Sequence, residues 1–362
     1  MTSTLQAPAR TGFHPLTVAA VERLTDDAVA VTFDVSEELR EVFTFDAGQS
    51  LTLRRVIDGV DERRTYSICA KVGDRPRIGV REVPDGLFSR WLVHEVRPGD
   101  TVEVQPPSGS FRADADLLAA GGRHLLIAAG SGITPVLSIA ASVLDRPEGE
   151  VTLLYGNRTS ATVMFAEELA DLKNAHGARL DLVHVLSREP RDVELFSGRL
   201  DGERLRSLLT LLVPLEDVDH VWLCGPFGMV ADARGVLLGL GVPTGRIHTE
   251  LFFVDEPPPP VRHLDPAVTG AGTELTVVLD GRSTTVVVPR DRTVLDSAQH
   301  HRGDLPFACK GGVCGTCRAR VVAGEVDMVR NYALEPAEVD AGFVLTCQTY
   351  PVGDAVTVAY DE

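Results

Sequence analysis

Four of the six cysteines, Cys309, Cys314, Cys317 and Cys347, fall in the last 54 residues with the spacing C-x4-C-x2-C-x29-C. A chain of this size in a reducing compartment uses such a group for metal rather than for disulfides. The intervening Lys310-Gly-Gly-Val313 and Gly315-Thr316 are mostly small, so the backbone can wrap closely and aim N–H groups at sulfur. That suits a charged [2Fe–2S] cluster, whose ligands follow this interval pattern. Zinc is the alternative, although structural zinc commonly takes two C-x2-C knuckles.

Two other stretches suit nucleotide chemistry. Arg64-Thr65-Tyr66-Ser67 offers a cation for a phosphate, an aromatic ring to lie against an isoalloxazine and a hydroxyl to bond near its N5. Val80 and Arg81 follow, then Gly86-Leu-Phe-Ser89, a glycine turn feeding a helix start that can receive a pyrophosphate or simply cap the helix. Ala128-Ala-Gly-Ser-Gly-Ile-Thr-Pro135 repeats the idea: Gly130 and Gly132 permit close approach, Thr134 suits the cap and Pro135 the first helical position. The third glycine of a dinucleotide fingerprint is absent.

The elements that must position these groups divide the chain into three. Residues 14–112 read as short strands with regular turns, an antiparallel β-barrel, with one helix from Leu87 to His94. Residues 113–254 alternate apolar strands (Leu125–Ala129, Val151–Tyr155, Leu180–Leu186, Val221–Cys224) with helices, the pattern of a parallel α/β sheet. Residues 255–272 carry four consecutive prolines and read as a semi-rigid linker. Residues 273–362 begin with two β-rich runs around Asp280-Gly281, a hairpin signal, ahead of the cysteine loop.

The motif CKGGVCGTC with its strands resembles the β-grasp ferredoxins, which implies that Cys309, Cys314, Cys317 and Cys347 ligate the cluster. Arg64-x-Tyr66-Ser67, the Gly86–Ser89 turn and Pro107-Ser-Gly-Ser-Phe111 resemble the ferredoxin–NADP reductases. That resemblance implies FAD held by Arg64, Tyr66, Ser67, Val80, Arg81, Gly86 and Ser89, with FMN the alternative. It also implies a pyridine nucleotide on Gly130, Gly132, Thr134 and Pro135. Cys224-Gly225-Pro226 resembles the loop whose cysteine borders the nicotinamide, and His248–Phe252 the stretch nearing the flavin's far side. Ser67, Cys224 and Glu250 are thus the candidate catalytic residues, although Cys224 read alone is a small buried hydrophobe and Glu250 a surface carboxylate.

Charge argues the nucleotide. No acid follows Val151–Tyr155, where Gly156-Asn157-Arg158-Thr159 stands, and Ser187-Arg188-Glu189 follows the next strand. Serine plus arginine resembles the NADP-type members, so NADPH is expected over NADH through Arg158, Ser187 and Arg188, which read alone are equally exposed charges.

The whole chain is similar to reductase components of multicomponent oxygenases, most of all the reductases of phenylacetyl-CoA epoxidases, through His14-Pro-Leu16, RRTYSICA, LYGNR and the cysteine loop. The resemblance implies an oxygenase as electron acceptor. Alternatives are the NADH-dependent reductase of a Rieske-type 3-ketosteroid 9α-hydroxylase and a stand-alone flavin oxidoreductase. With 35 Lys+Arg against 52 Asp+Glu, net charge −17, nucleic acid and anionic membrane are excluded as partners. The start lacks a signal-peptide pattern, and the uncharged run Leu125–Leu144 holds Gly130, Gly132 and Pro135, reading as strand, turn and helix rather than a span. A cytoplasmic protein is expected.

Overall fold

A computed structural model describes residues 12–84, 86–252, 272–334 and 336–361. The chain divides into two compact units after Val254. The proline-rich 255–271 of the expected linker lies outside the described residues.

The first unit opens with six strands, β1 (His14–Thr25), β2 (Ala28–Asp34), β3 (Ser50–Ile57), β4 (Val60–Ser67), β5 (Arg77–Arg81) and β6 (Thr101–Val104). They form one antiparallel sheet in the order β4-β3-β6-β1-β2-β5. An Ile68–Ile78 bridge and the bond from Cys69 N–H to the Arg77 carbonyl, 2.8 Å, join the two edges and close the barrel. Alternation fills its interior with Leu16, Val18, Val31, Phe33, Leu51 and Leu53. Truncating one of these leucines to alanine costs ~2–5 kcal/mol. Helix α1 (Leu87–His94) lies where the sequence predicts it and packs Phe88 and Leu92 onto this core. Strand β4 begins earlier than expected, because Asp58 and Gly59, both at positive φ, make a tight turn from β3.

The same unit continues with a parallel sheet of β7 (Gly122–Ala129), β8 (Gly149–Asn157), β9 (Leu180–Leu186), β10 (His220–Gly225) and β11 (Ile247–Leu251), in the order β11-β10-β7-β8-β9. Four of these strands are legible as apolar runs; β11, with the polar His248, Thr249 and Glu250, is not. Helices Ile133–Leu144, Ala166–His176, Gly202–Leu212 and Phe227–Gly239 cover it. Gly79 lets barrel and sheet meet: a Cβ there would stand 2.5 Å from Thr134 Cγ2 and 2.9 Å from Phe165 Cζ.

The second unit holds a five-stranded sheet, in chain order β12 (Thr273–Leu279), β13 (Arg282–Val288), β14 (Arg318–Ala323), β16 (Phe343–Leu345) and β18 (Ala355–Ala359), arranged β13-β12-β18-β14-β16. A small ribbon pairs β15 (Val326–Met328) with β17 (Thr349–Pro351). The hairpin turns on Asp280 and Gly281, both at positive φ, as the dipeptide predicts. The short helix Val294–Gln299 buries Val294, Leu295 and Ala298 against the sheet. Among the described residues no helix is long and apolar enough to cross a membrane.

Candidate functional site

Three strand ends of the first unit converge. Ser67 ends β4, and Cys224 and Glu250 are register neighbours on β10 and β11. Ser67 Oγ donates to Glu250 Oε2 at 3.2 Å, and Cys224 Sγ lies 3.9 Å from the same oxygen. Ser67 and Cys224 are buried. Glu250 keeps some surface exposed, but its carboxyl is enclosed, and burial pushes it up to about 8, opposed by the bonds from Ser67 and Cys224. Burial, then Glu250, pushes the Cys224 thiol up. At neutral pH this is a serine hydroxyl, a thiol and a largely protonated carboxyl, a site that can donate or accept hydrogen bonds without a fixed charge. The alternative reading of Glu250, a surface carboxylate, does not match this enclosure.

The glycine turn after β7 meets the loop after β10 at backbone distance. A Cβ on Gly132 would stand 2.2 Å from the Cys224 carbonyl oxygen and 2.9 Å from Gly225 N, which only glycine allows. Gly130 takes φ +56° and its carbonyl accepts from Tyr155 Oη at 2.9 Å, a support the sequence does not reveal. The cap differs from expectation. The helix starts at Ile133 with Gly132 in the cap position, and Thr134 instead donates its hydroxyl to the Ser131 carbonyl, 3.0 Å. Pro135 still falls in the first turn, where its missing N–H leaves no bond unmade. Gly225 and Pro226 lead into the helix Phe227–Gly239, Pro226 at its cap position.

At the far edge of this sheet, Ser187 N–H donates to the Asn157 carbonyl at 2.9 Å and Arg188 N–H to the Arg158 carbonyl at 2.7 Å. Arg158, Ser187 and Arg188 thus lie on backbone-bonded neighbouring segments that follow β8 and β9. Glu189, the acid here, accepts from Ser160 N–H at 2.8 Å and Ser160 Oγ at 2.9 Å, bonds that hold its carboxyl below its usual range.

The barrel's expected flavin residues fall into two groups. Tyr66 lies half-buried, its ring 6.2 Å from Phe88, and burial pushes its phenol up. Gly86 caps α1, and Ser89 Oγ accepts from Val83 N–H at 3.1 Å. Arg64 is exposed and paired with Glu62 at 2.9 Å. Val80 does not reach a site through its side chain, which is buried in the barrel core because its strand alternates inward there. Arg81 points away from the barrel toward the second sheet: Nη2 donates to the Thr162 carbonyl at 2.6 Å, and a Cβ on Gly130 would lie 3.3 Å from Nη1.

In the second unit none of the four expected cysteines is in a disulfide. Cys314 holds the Cys309 thiol down and Cys347 holds Cys317 down, while Cys314 and Cys347 are pushed up by these same neighbours and by burial. The loop wraps through positive φ at Lys310, Gly312 and Gly315, and Gly311 N–H points at Cys309 Sγ, 3.3 Å. Thr346 N–H and Oγ1 both donate to the Cys317 carbonyl, at 3.2 and 2.9 Å, tying the fourth cysteine to the third. Gln348 Nε2 donates to the Lys310 carbonyl at 2.8 Å and holds the loop from the other side; the sequence signal is its place beside Cys347. Soft thiol donors on a loop that turns a backbone N–H onto Cys309 Sγ have the chemistry of a [2Fe–2S] cluster's ligands, although among the described residues no three of them close into a group that would hold a metal ion.

Comparison with known proteins agrees with this geometry. Family models match in series: the oxidoreductase FAD-binding domain at residues 15–113, the oxidoreductase NAD-binding domain at 126–235 and the 2Fe-2S iron-sulfur cluster binding domain at 277–352. The chain is 44% identical over 354 residues to one component of the 1,2-phenylacetyl-CoA epoxidase of Escherichia coli (strain K12), covering 97% of this chain and 98% of that one. It belongs to the FAD- and [2Fe–2S]-containing reductases of oxygenase systems. The ferredoxin reductase component of 3-ketosteroid-9-alpha-monooxygenase from Rhodococcus rhodochrous is 34% identical over 371 residues, covering 99% and 100%. Phthalate dioxygenase reductase shares the fold, with TM-score 0.60 at 24% identity over 96% of this chain and 98% of that one. As a reductase of this family the protein is an electron-transfer oxidoreductase using flavin, a pyridine nucleotide and a [2Fe–2S] cluster.

Proposed function

We propose that this reductase carries electrons from NADPH through FAD and the cluster to the oxygenase component of a phenylacetyl-CoA epoxidase complex in the cytoplasm. The observation that carries the choice of partner is the 44% likeness to the epoxidase component along almost the whole chain, against 34% for the steroid-type reductase.

Domains are proposed at 14–112 for FAD, 113–254 for the nucleotide, 255–272 as linker and 273–362 for the cluster. Bound FAD supplies hydride acceptance and one-electron release, which the one-electron cluster needs upstream. The chain's own residues supply binding and orientation. Tyr66 and the Gly86–Ser89 turn hold the flavin, and Ser67 offers its hydroxyl to the ring edge. Gly130 and Gly132 admit the dinucleotide's pyrophosphate, with Thr134 and Pro135 beginning the helix behind it. The Cys224-Gly225-Pro226 loop shapes the nicotinamide pocket. Glu250 keeps Ser67 and Cys224 aligned and holds a proton there up to pH about 8. Arg64, once released from Glu62, pairs with a flavin phosphate. Cys309, Cys314, Cys317 and Cys347 ligate the cluster.

NADPH over NADH is supported by Arg158, Ser187 and Arg188 lying on neighbouring segments where a 2′-phosphate belongs, and by Glu189 being engaged with Ser160 rather than free for a ribose hydroxyl.

The test is reconstitution with the oxygenase component of a phenylacetyl-CoA epoxidase. NADPH consumption coupled one-to-one to epoxidation of phenylacetyl-CoA supports the proposal. Uncoupled consumption there, with coupling to a Rieske-type steroid hydroxylase and NADH instead, overturns it.

A further inference from the structure

The turn between β1 and β2 carries a carboxylate that reaches across to the nucleotide half of the first unit. Asp27 Oδ1 accepts from Thr25 Oγ1 at 2.7 Å and lies 3.3 Å from Arg81 Nε. Its other oxygen, Oδ2, lies 3.6 Å from Arg158 Nη2. The two arginines differ in exposure. The Arg81 side chain is 16% exposed and also fixed to the Thr162 carbonyl, beside the Gly130 turn. The Arg158 side chain is 51% exposed, with the longer contact. Asp27 is therefore held by Thr25 through a hydrogen bond and by Arg81 through a close ion pair, with Arg158 its more exposed and more distant partner.

We propose that Asp27 sets nucleotide selectivity as the counter-ion of Arg158, held in the free protein and exchanged for the 2′-phosphate when NADPH binds. The inference rests on the reading of Arg158 as a 2′-phosphate ligand. The pair is solvent-facing and long, so its strength is that of a surface ion pair, weak enough to exchange. A dianionic phosphate outcompetes a single carboxylate for a guanidinium. Asp27 is not stranded by the exchange, because Thr25 and Arg81 keep it paired. A dinucleotide without the phosphate leaves the pair intact. Asp27 thus lowers affinity for the phosphorylated dinucleotide alone, and the barrel, through one turn, takes part in the choice.

The experiment is titration of the full-length, flavin- and cluster-loaded protein with NADP+ and with NAD+, followed by the flavin difference spectrum. Wild type, Asp27→Asn, Arg158→Gln and the double variant are compared. Asp27→Asn is expected to tighten NADP+ about threefold, the worth of a surface ion pair, and to leave NAD+ unchanged. Arg158→Gln is expected to weaken NADP+ about tenfold and leave NAD+ unchanged. In the double variant the effect of Asp27→Asn disappears. Equal changes for both dinucleotides, or an Asp27→Asn effect that persists without Arg158, overturn the inference while leaving the NADPH reading in place. Unchanged NADP+ binding in Arg158→Gln overturns that reading and the inference with it. Should Asp27→Asn lose flavin, Asp27→Ser reads the same exchange while keeping a hydrogen-bond partner for Thr25.

Discussion

Glu250 and Ser67 stand 183 residues apart, yet Ser67 Oγ donates to Glu250 Oε2 at 3.2 Å. The bond joins the last residue of a barrel strand to a strand of the parallel sheet, so the two nucleotide-type halves of the first unit meet at a hydrogen bond between candidate catalytic side chains. Cys224, adjacent in register, shares the same acceptor.

Glu250→Gln tests that junction. Removing the carboxyl is expected to slow flavin reduction by the nucleotide about tenfold, ~1.4 kcal/mol, the worth of one hydrogen bond to an ionisable group. Stopped-flow absorbance measures it. The substitution also carries a pH signature. A carboxyl raised from 4.5 to about 8 binds a proton in the folded chain that the unfolded chain has released, so its contribution to stability falls as pH rises from 4.5 to 8. Relative to wild type, Glu250→Gln should gain stability across that window, by less than about 1.4 kcal/mol per pH unit, in urea melts.

A second pH effect has the opposite sign. Trp222 stacks on His248 at 4.1 Å and donates Nε1–H to His124 Nδ1 at 3.1 Å, while His220 lies between the two histidines. Burial lowers His124 and His248 to about 4 each, with His220 adding to both, and lowers His220 too. The unfolded chain therefore takes up these protons first, and stability is lost as pH falls from 6.5 toward 4. In a Glu250→Gln background, unfolding midpoints should drop through that window. Replacing His124 and His248 with Gln should flatten the drop, and an unchanged slope would contradict the assignment.

Gly132→Ala should be among the most damaging single-methyl changes in the chain. The new Cβ meets the Cys224 carbonyl at 2.2 Å, backbone against backbone, so neither side can yield by rotating a side chain. A loss of ~1–3 kcal/mol in stability and of dinucleotide binding is expected. Gly228→Ala, in a helix with nothing within 4 Å of the added carbon, should be neutral or stabilising by up to ~1 kcal/mol. Thermal melts of the two variants side by side provide the check.

Cys314→Ser separates the cluster from the flavin. The visible and EPR signatures of the [2Fe–2S] centre should vanish, and transfer to a one-electron protein acceptor with them. Reduction of bound flavin by the nucleotide should stay within about twofold, since the cysteines belong to a unit that folds around its own core.

What the sequence discloses follows from how local each signal is. The cysteine loop, the Asp280-Gly281 hairpin and the helix Leu87–His94 are set by neighbours in the chain, and all stand where expected. Glu250 is ambiguous because its strand carries polar residues, and only its contacts with Ser67 and Cys224 show the carboxyl to be enclosed. Thr134 looks like a cap by type, but Gly132 must approach the Cys224 carbonyl, and that tertiary demand moves the helix start. Arg81 reads as a flavin ligand by its place after Val80, while its guanidinium turns to Thr162 and Asp27. Such long-range pairings leave no local pattern to read.

The most direct test of the carrier chain is anaerobic titration of the flavin- and cluster-loaded protein with NADPH and, separately, NADH, followed by visible absorbance and EPR. Bleaching of the flavin bands followed by the EPR signal of a reduced [2Fe–2S] centre, faster with NADPH, is the predicted result. Flavin bleaching with no cluster signal, or a colourless protein that holds zinc on Cys309, Cys314, Cys317 and Cys347, would contradict it.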